Sequence, residues 1–210
     1  MRINLWNIED NKTVFNIIDL KSKEEADEVI THAEFHPQSP TIFTYTTSKG
    51  ILNVCDFRDG SCFQKNSSFR FDVGEGQKKN AFSDMLNTFS SCKFIKNKPN
   101  LIATRDFLSA KIWDIRGTSH KPSISINVCD YLEKNLVNLY EDDSIYDRFF
   151  MDVSPCGNFI LTGAYNKNAH ILDISGNNNV TLTTSFDQKR GKTVGKARKY
   201  SSSKKLAAFD

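Results

Sequence analysis

Residues 90–114 read SSCKFIKNKPNLIATRDFLSAKIWD, and the same grammar is written twice more in the chain. Residues 31–56 read THAEFHPQSPTIFTYTTSKGILNVCD, and residues 148–173 read RFFMDVSPCGNFILTGAYNKNAHILD. Each copy opens with a short apolar strand around Phe35, Phe94 or Val153. A turn follows at Pro37, Pro99 or Pro155-Cys156-Gly157, then a second strand, a tight polar turn and a third strand. That third strand closes on a large residue plus aspartate: Cys55-Asp56, Trp113-Asp114 and Leu172-Asp173. Val, Ile, Phe and Trp at alternating positions favour a pleated, half-buried surface. Strand order, turn chemistry and terminal Asp stay in step three times, which an unrelated sandwich has no reason to do.

Working outward, Leu5-Trp6-Asn7 reads as the tail of a fourth copy. Trp6, Cys55, Trp113 and Leu172 are separated by 49, 58 and 59 positions. Repetition with a terminal Trp-Asp is the mark of a β-propeller blade with a ~40–45-residue period, so these copies carry insertions between the Asp-ended strand and the next first strand. The expectation is an all-β, partial WD-repeat β-propeller forming a single domain over 1–210. Blade-like repeats lie near 31–72, 90–128 and 148–187, incomplete blades at the ends, and short helices in the insertions. Cys55 and Leu172 are weaker plugs between sheets than Trp, so the repeats are degenerate. About three blades fall short of the ~4–8 of a closed ring, and the chain reads as a fragment of a longer protein.

Composition agrees with a globular β protein: hydrophobic residues are 39%, charged residues 25%, and there are 16 Phe. No apolar run approaches the ~20 residues of a membrane span. The five Cys show no CxxC or Cys/His ligand spacing and read as reduced, buried thiols of a cytoplasmic or nuclear protein. His32 and His36 are four apart, but on a strand before Pro37 they do not converge on a metal and suit turn stabilisation. Thr104-Arg105-Asp106 and Asp152-Val153-Ser154 lack a nucleophile elbow or phosphate loop around them. The chain is not expected to be an enzyme, and no cofactor or metal is implied.

Helical signals fall in the insertions. Phe82, Met85, Leu86 and Phe89 are spaced as one apolar stripe over residues 81–89. Residues 23–30, KEEADEVI, place Ala26, Val29 and Ile30 opposite acids. A helical turn is expected at 130–134, with Asp130 as cap and Glu133 three residues on. Residues 188–205 carry eight Lys or Arg and no acid. On composition such a run could bind nucleic acid, which is the alternative reading as a generic WD scaffold, although only Tyr200 offers an aromatic for base stacking.

Several longer stretches resemble the WD-repeat regulatory B subunits of protein phosphatase 2A: RINLW at 2–6, FNIID at 15–19, AEFHP at 33–37, TTSKG at 46–50 and CDFR at 55–58. TRDFLSAKIWD at 104–114 and LYEDDSIYDRF at 139–149 are the most individual. The resemblance runs over nearly the whole chain and corresponds to the C-terminal half of that family's propeller. It implies a non-catalytic adaptor whose partners are the phosphatase catalytic and scaffold subunits and phosphoprotein substrates with basic segments; composition implies no membrane partner, and nucleic acid is the partner only in the alternative reading. The resemblance also implies a solvated basic inter-blade loop over 188–205. It places a substrate groove at Glu25, Ala26, Glu28, Val29, Glu141, Asp142 and Arg148. Ala26 stands where the family has a larger apolar residue, and Arg148 where it has Lys. On residue chemistry alone, such acidic runs are usually solvated loop faces.

Overall fold

A computed structural model of the chain describes residues 2–9, 14–19, 28–58, 69–74, 82–117, 121–175, 179–187 and 192–200. These residues are predominantly antiparallel β-structure arranged in four sheets. The first sheet pairs β1 (Arg2–Trp6) with β2 (Val14–Asp19). The second is a meander of β3 (Ile30–Phe35), β4 (Ile42–Thr47), β5 (Ile51–Asp56) and β6 (Phe69–Asp72). The third repeats it with β7 (Ser91–Phe94), β8 (Leu101–Arg105), β9 (Ser109–Asp114) and β10 (Ile124–Asn127). The fourth has β11 (Met151–Val153), β12 (Phe159–Ala164), β13 (Asn168–Asp173), β14 (Asn179–Asp187) and an added β15 (Lys192–Tyr200).

The sequence repeat is also a repeat of register. Phe43 pairs with Cys55, Ile102 with Trp113, and Ile160 with Leu172. One residue outward, Ile42, Leu101 and Phe159 pair with the three closing aspartates. The turn into each second strand closes with the same backbone bond, from His36, Ile95 and Ser154 N–H to the carbonyls of Ile42, Leu101 and Phe159, each 2.9 Å. The closing aspartates act identically. Oδ1 of Asp56, Asp114 and Asp173 accepts the N–H two residues on, from Arg58, Arg116 and Ser175 at 2.9–3.0 Å. This is the local turn that Asp favours. Two of these turns carry an Arg that folds back on the carboxylate, and its hydrogen bond holds Asp56 and Asp114 below the usual carboxylate range.

Successive sheets pack face to face, because a strand's alternate residues point to opposite faces and both faces are apolar. Trp113, fully buried, lies between the second and third sheets with Leu52, Val54, Phe71, Phe89, Phe94 and Ile102. Its ring meets Phe71 at 5.3 Å and Phe89 at 6.3 Å, and its indole N–H donates to Thr104 Oγ1 at 2.8 Å. Cys55 fills the same role against Ile18 of the first sheet, and Leu172 against Ala110 and Ile112 of the third. First strands are the closest meeting points between sheets: β3 lies beside β7, and β7 beside β11. Glu34 ties the first of these contacts, accepting Phe94 N–H at 2.8 Å and Lys93 Nζ at 3.1 Å.

The closest turn contact explains one glycine. Gly157 has φ +68°, and a Cβ there would sit 1.9 Å from the Lys96 carbonyl oxygen of the neighbouring sheet. Only a residue without a side chain lets the two turns nest.

Several expectations are corrected. The basic run expected as a loop over 188–205 contains strand β15, because its backbone completes a nine-residue ladder with β14. The helix expected over 81–89 is confined to α1 (Ser83–Asn87): Thr88 turns out of the helix and Phe89 is drawn beneath Trp113 instead. Ile30, expected on a helical stripe, begins β3, and residues 23–27 lie outside the described residues. Residues Asp130–Asn135 form a 3₁₀ turn that runs into α2 (Leu136–Glu141), but Cys129, not Asp130, occupies the cap position. His36 does stabilise its turn, accepting Gln38 and Ser39 N–H at Nδ1, whereas His32 instead meets Cys92 Sγ at 3.4 Å across the sheets. Cys55, Cys92 and Cys129 are buried free thiols, and burial pushes Cys92 up to about 12; Cys156 is exposed. Among the described residues no helix is long and apolar enough to cross a membrane.

Candidate functional site

The strands fix two unlike ends of the sheet stack. At one end lie the closing Asp turns. At the other, every insertion re-enters the next first strand, beside the β4–β5 and β8–β9 turns. A cleft of about 840 Å³ opens at this second end. Its floor is the β8–β9 turn with Arg105, Asp106 and Phe107, and its sides come from residues 48–49, the end of β6, α1, Tyr140 and residues 145–149. Repetition therefore gathers segments remote in sequence, because the stretch from the fourth strand of one sheet to the first strand of the next leaves and returns at the same end.

Of the residues assigned to a groove, Glu28 and Arg148 both line this cleft. Glu28 is 7% exposed and Arg148 is exposed. Val29 sits beside the cleft, not in its lining; its N–H donates to Ser48 Oγ at 3.0 Å, and its carbonyl accepts Ser48 N–H at 2.8 Å. That exchange locks the strand entry, placing Glu28 over the β4–β5 turn. Glu141 and Asp142 are exposed at the end of α2 and are not among the lining residues. The helix directs their neighbour Tyr140 into the cleft instead. Glu25 and Ala26 lie outside the described residues.

Beyond the residues assigned to a groove, the cleft has other components, of which Tyr140 and Asp147 lie within the acidic stretch LYEDDSIYDRF. Asp84 of α1 and Asp147 add exposed carboxylates. Asp147 is positioned by its backbone, whose N–H donates to Tyr165 Oη at 2.9 Å. An aromatic wall runs through Phe82, Tyr140 and Tyr146, with ring centroids 5.5 and 5.8 Å apart along the series. Phe149 continues the lining and stacks edge-on against Tyr165 at 5.0 Å. The only sequence hint of this wall was the aromatic spacing within LYEDDSIYDRFF, which has neither helical nor strand period over its whole length.

Beneath the cleft is a buried polar floor. The Arg105 guanidinium, 1% exposed, donates to the carbonyls of Asp106 and Ser109 and, at 3.3 Å, to Thr162 Oγ1 of the next sheet. Burial lowers its pKa from the ordinary arginine value. Asp106 accepts N–H groups of Leu108 and Ser109, the Ser109 hydroxyl and the Lys111 ammonium. Burial, with the Arg105 cation as lesser cause, draws Lys111 down to about 8, while the touching Asp106 carboxylate acts in the opposite sense. Every carboxylate oxygen of Asp106 is thus engaged, so its place is to set the β8–β9 turn. Buried charge is tolerated where hydrogen bonds replace water in this way.

The arrangement offers separated charges of both signs and flat aromatic surface, on a rigid floor. That suits an extended polypeptide with charged side chains. Among the described residues no group of three or more His, Cys, Asp or Glu could hold a metal ion. No protein-family model matches the chain.

Proposed function

We propose that this chain is a non-catalytic regulatory subunit of the protein phosphatase 2A B class, which recruits basic segments of phosphoproteins through this cleft. The observation that carries the reading is the meeting of Glu28 and Arg148, from two different insertions, in one aromatic-walled cleft. The resemblance of the sequence had assigned both to a single groove. A radial, propeller-like arrangement is supported by the closeness of first strands, β3 with β7 and β7 with β11, which places them nearest a common axis.

In this reading Glu28, Asp84 and Asp147 meet Lys or Arg of the substrate, and Arg148 meets an acidic or phosphorylated side chain. Pairs made by the exposed Asp84, Asp147 and Arg148 contribute about 0.2–1 kcal/mol each, so they act mainly on encounter rate and register. The tyrosines supply flat contact area with little rotamer entropy to lose. Dephosphorylation belongs to the catalytic partner.

Two measurements test this. The full chain, expressed with a phosphatase scaffold and catalytic subunit, should co-purify with both; recovery of the chain alone under gentle lysis would refute the assignment. A basic phosphopeptide should bind the assembly with an affinity that falls with salt. The substitutions Asp84→Asn and Asp147→Asn together should weaken it by about tenfold, on the order of 1 kcal/mol. Unchanged affinity in that variant would remove the cleft from the account.

A further inference from the structure

Residues 144–150 have no regular secondary structure, yet alternate positions are anchored. Ile145 is buried. Asp147 is held through its backbone by Tyr165: its N–H donates to Tyr165 Oη at 2.9 Å, and that hydroxyl donates to its carbonyl at 3.3 Å. Phe149 lies against Gly163, where a Cβ would come within 2.8 Å of its ring, and its carbonyl accepts the Ser90 hydroxyl at 2.7 Å. The residues between are turned outward, so that Ser144, Tyr146 and Arg148 are exposed. An exposed aromatic ring on a segment held this firmly has little freedom to lose when a ligand meets it.

Tyr146 does not stand alone. Its ring centroid is 5.8 Å from that of Tyr140, with the planes inclined at 45°, and Tyr140 in turn meets Phe82 edge-on at 5.5 Å. The Tyr146 hydroxyl donates to the Tyr140 carbonyl at 3.4 Å, which ties the two residues together. Both tyrosines line the cleft, and at 44% and 57% exposure they form a corner of aromatic surface open to it. The stretch 141–148 carries four carboxylates, Glu141, Asp142, Asp143 and Asp147, against one cation, Arg148. Asp84 and Asp147 line the same cleft, and both are exposed.

We infer that the Tyr140–Tyr146 corner binds a quaternary ammonium group, and that its ligand is the trimethylated side chain of a lysine in a polypeptide lying in the cleft. Ring faces attract cations through their quadrupole, and grouped rings recognise methylated ammonium groups in this way. The acids of the stretch raise the local concentration of cations without having to touch them. Unmodified lysine is the poorer occupant. Its ammonium carries three N–H donors that need acceptors once water is displaced. The Tyr146 hydroxyl already directs its proton to a carbonyl, and ring faces are weak acceptors. A trimethylammonium has no donor to satisfy and keeps its charge. The inference goes beyond the regulatory reading and stands without it, because the corner lies within this chain.

Saturation-transfer NMR of the full chain, titrated with Nα-acetyl-trimethyllysine methylamide, tests it. A ligand of this size is expected to bind with a Kd on the order of 1 mM. Two comparison ligands isolate the interaction: the same molecule with unmodified lysine, and the neutral isostere with a tert-butyl group in place of the trimethylammonium. Both should bind about tenfold more weakly. Tyr146→Leu should lose the binding with unchanged circular dichroism, because the ring is exposed. Tyr146→Phe, which keeps the ring face, should retain it. Equal binding of the neutral isostere would make the corner a plain apolar patch, and equal binding of lysine would assign the contact to the carboxylates; either result overturns the inference. So does binding that survives Tyr146→Leu, or no saturation transfer from the trimethylated ligand at about ten times the expected Kd.

Discussion

Replacing Trp113 by Ala should cost about 4–6 kcal/mol, while the same change at Trp6, the corresponding position of the first repeat, should cost less than ~1 kcal/mol. A buried Trp removes about 200 Å² from water, worth ~5 kcal/mol at about 25 cal/mol/Å². Residual compactness of the unfolded chain lowers that to ~3–4.5 kcal/mol. Thr104, itself fully buried, then loses the indole donor that reaches it at 2.8 Å, adding about 1 kcal/mol. The space left between Phe71 and Phe89 cannot collapse easily, because backbone ladders hold both sheets apart. Trp6, 61% exposed, has little of this to lose. Urea titrations followed by circular dichroism at about 1 μM, with the slope checked for constancy, measure both variants. Equal costs at the two sites, or a cost under ~1 kcal/mol for Trp113→Ala, would refute the account of sheets stacked on their plug residues. Trp113→Phe, which keeps a ring but not the N–H, should fall between, at about 1–2 kcal/mol.

Two further outcomes follow from the same packing. His170 keeps Nδ1 on Thr181 Oγ1 at 3.0 Å while its Nε2 is buried without a hydrogen-bond partner, and burial, with Arg105 as lesser cause, lowers its pKa below 6.5. A depressed folded value means that the unfolded chain binds the extra proton, so stability is whole above pH 6.5 and is lost as pH falls towards the folded value. His170→Asn should flatten the fall of melting temperature between pH 7.5 and about 5.5; an identical slope in variant and parent refutes it. Gly157→Ala should destabilise by about 2 kcal/mol or more, since a positive φ and a backbone oxygen 1.9 Å from the new Cβ act together. Gly74→Ala, whose Cβ would meet a side-chain oxygen at 3.3 Å, should stay within about 1 kcal/mol, and thermal melts of the pair decide the point.

The helices and the basic run show how far local pattern reaches. Phe82, Met85 and Leu86 obey the helical spacing, and Phe89 continues it on paper. Its ring is worth more beneath Trp113 than on the fourth corner of a stripe, so the helix stops at Asn87. A loop was expected over the basic run because the resembled family has a basic inter-blade loop at that place. A backbone ladder needs no side-chain agreement on an edge strand, and β14 supplies one. Glu28 and Arg148 were legible as candidates only through resemblance; Tyr140 and Asp147 stood in the same acidic stretch as Arg148, whereas Asp84 and Tyr146 carried no spacing that could mark them.

What the sequence determined by itself is everything with a short period. Alternation of apolar residues, Pro and Gly at the turns and the recurring terminal Asp fix strands, meanders and register, because each depends on neighbours within a few residues. What only the tertiary structure decided is which faces are covered and which insertions meet. Trp6 and Trp113 occupy the same place in the repeat, yet one is exposed and the other buried, and Glu28 and Arg148, which precede different sheets, line one cleft. Those outcomes depend on the stacking of whole sheets, a long-range arrangement that no local run of residues encodes.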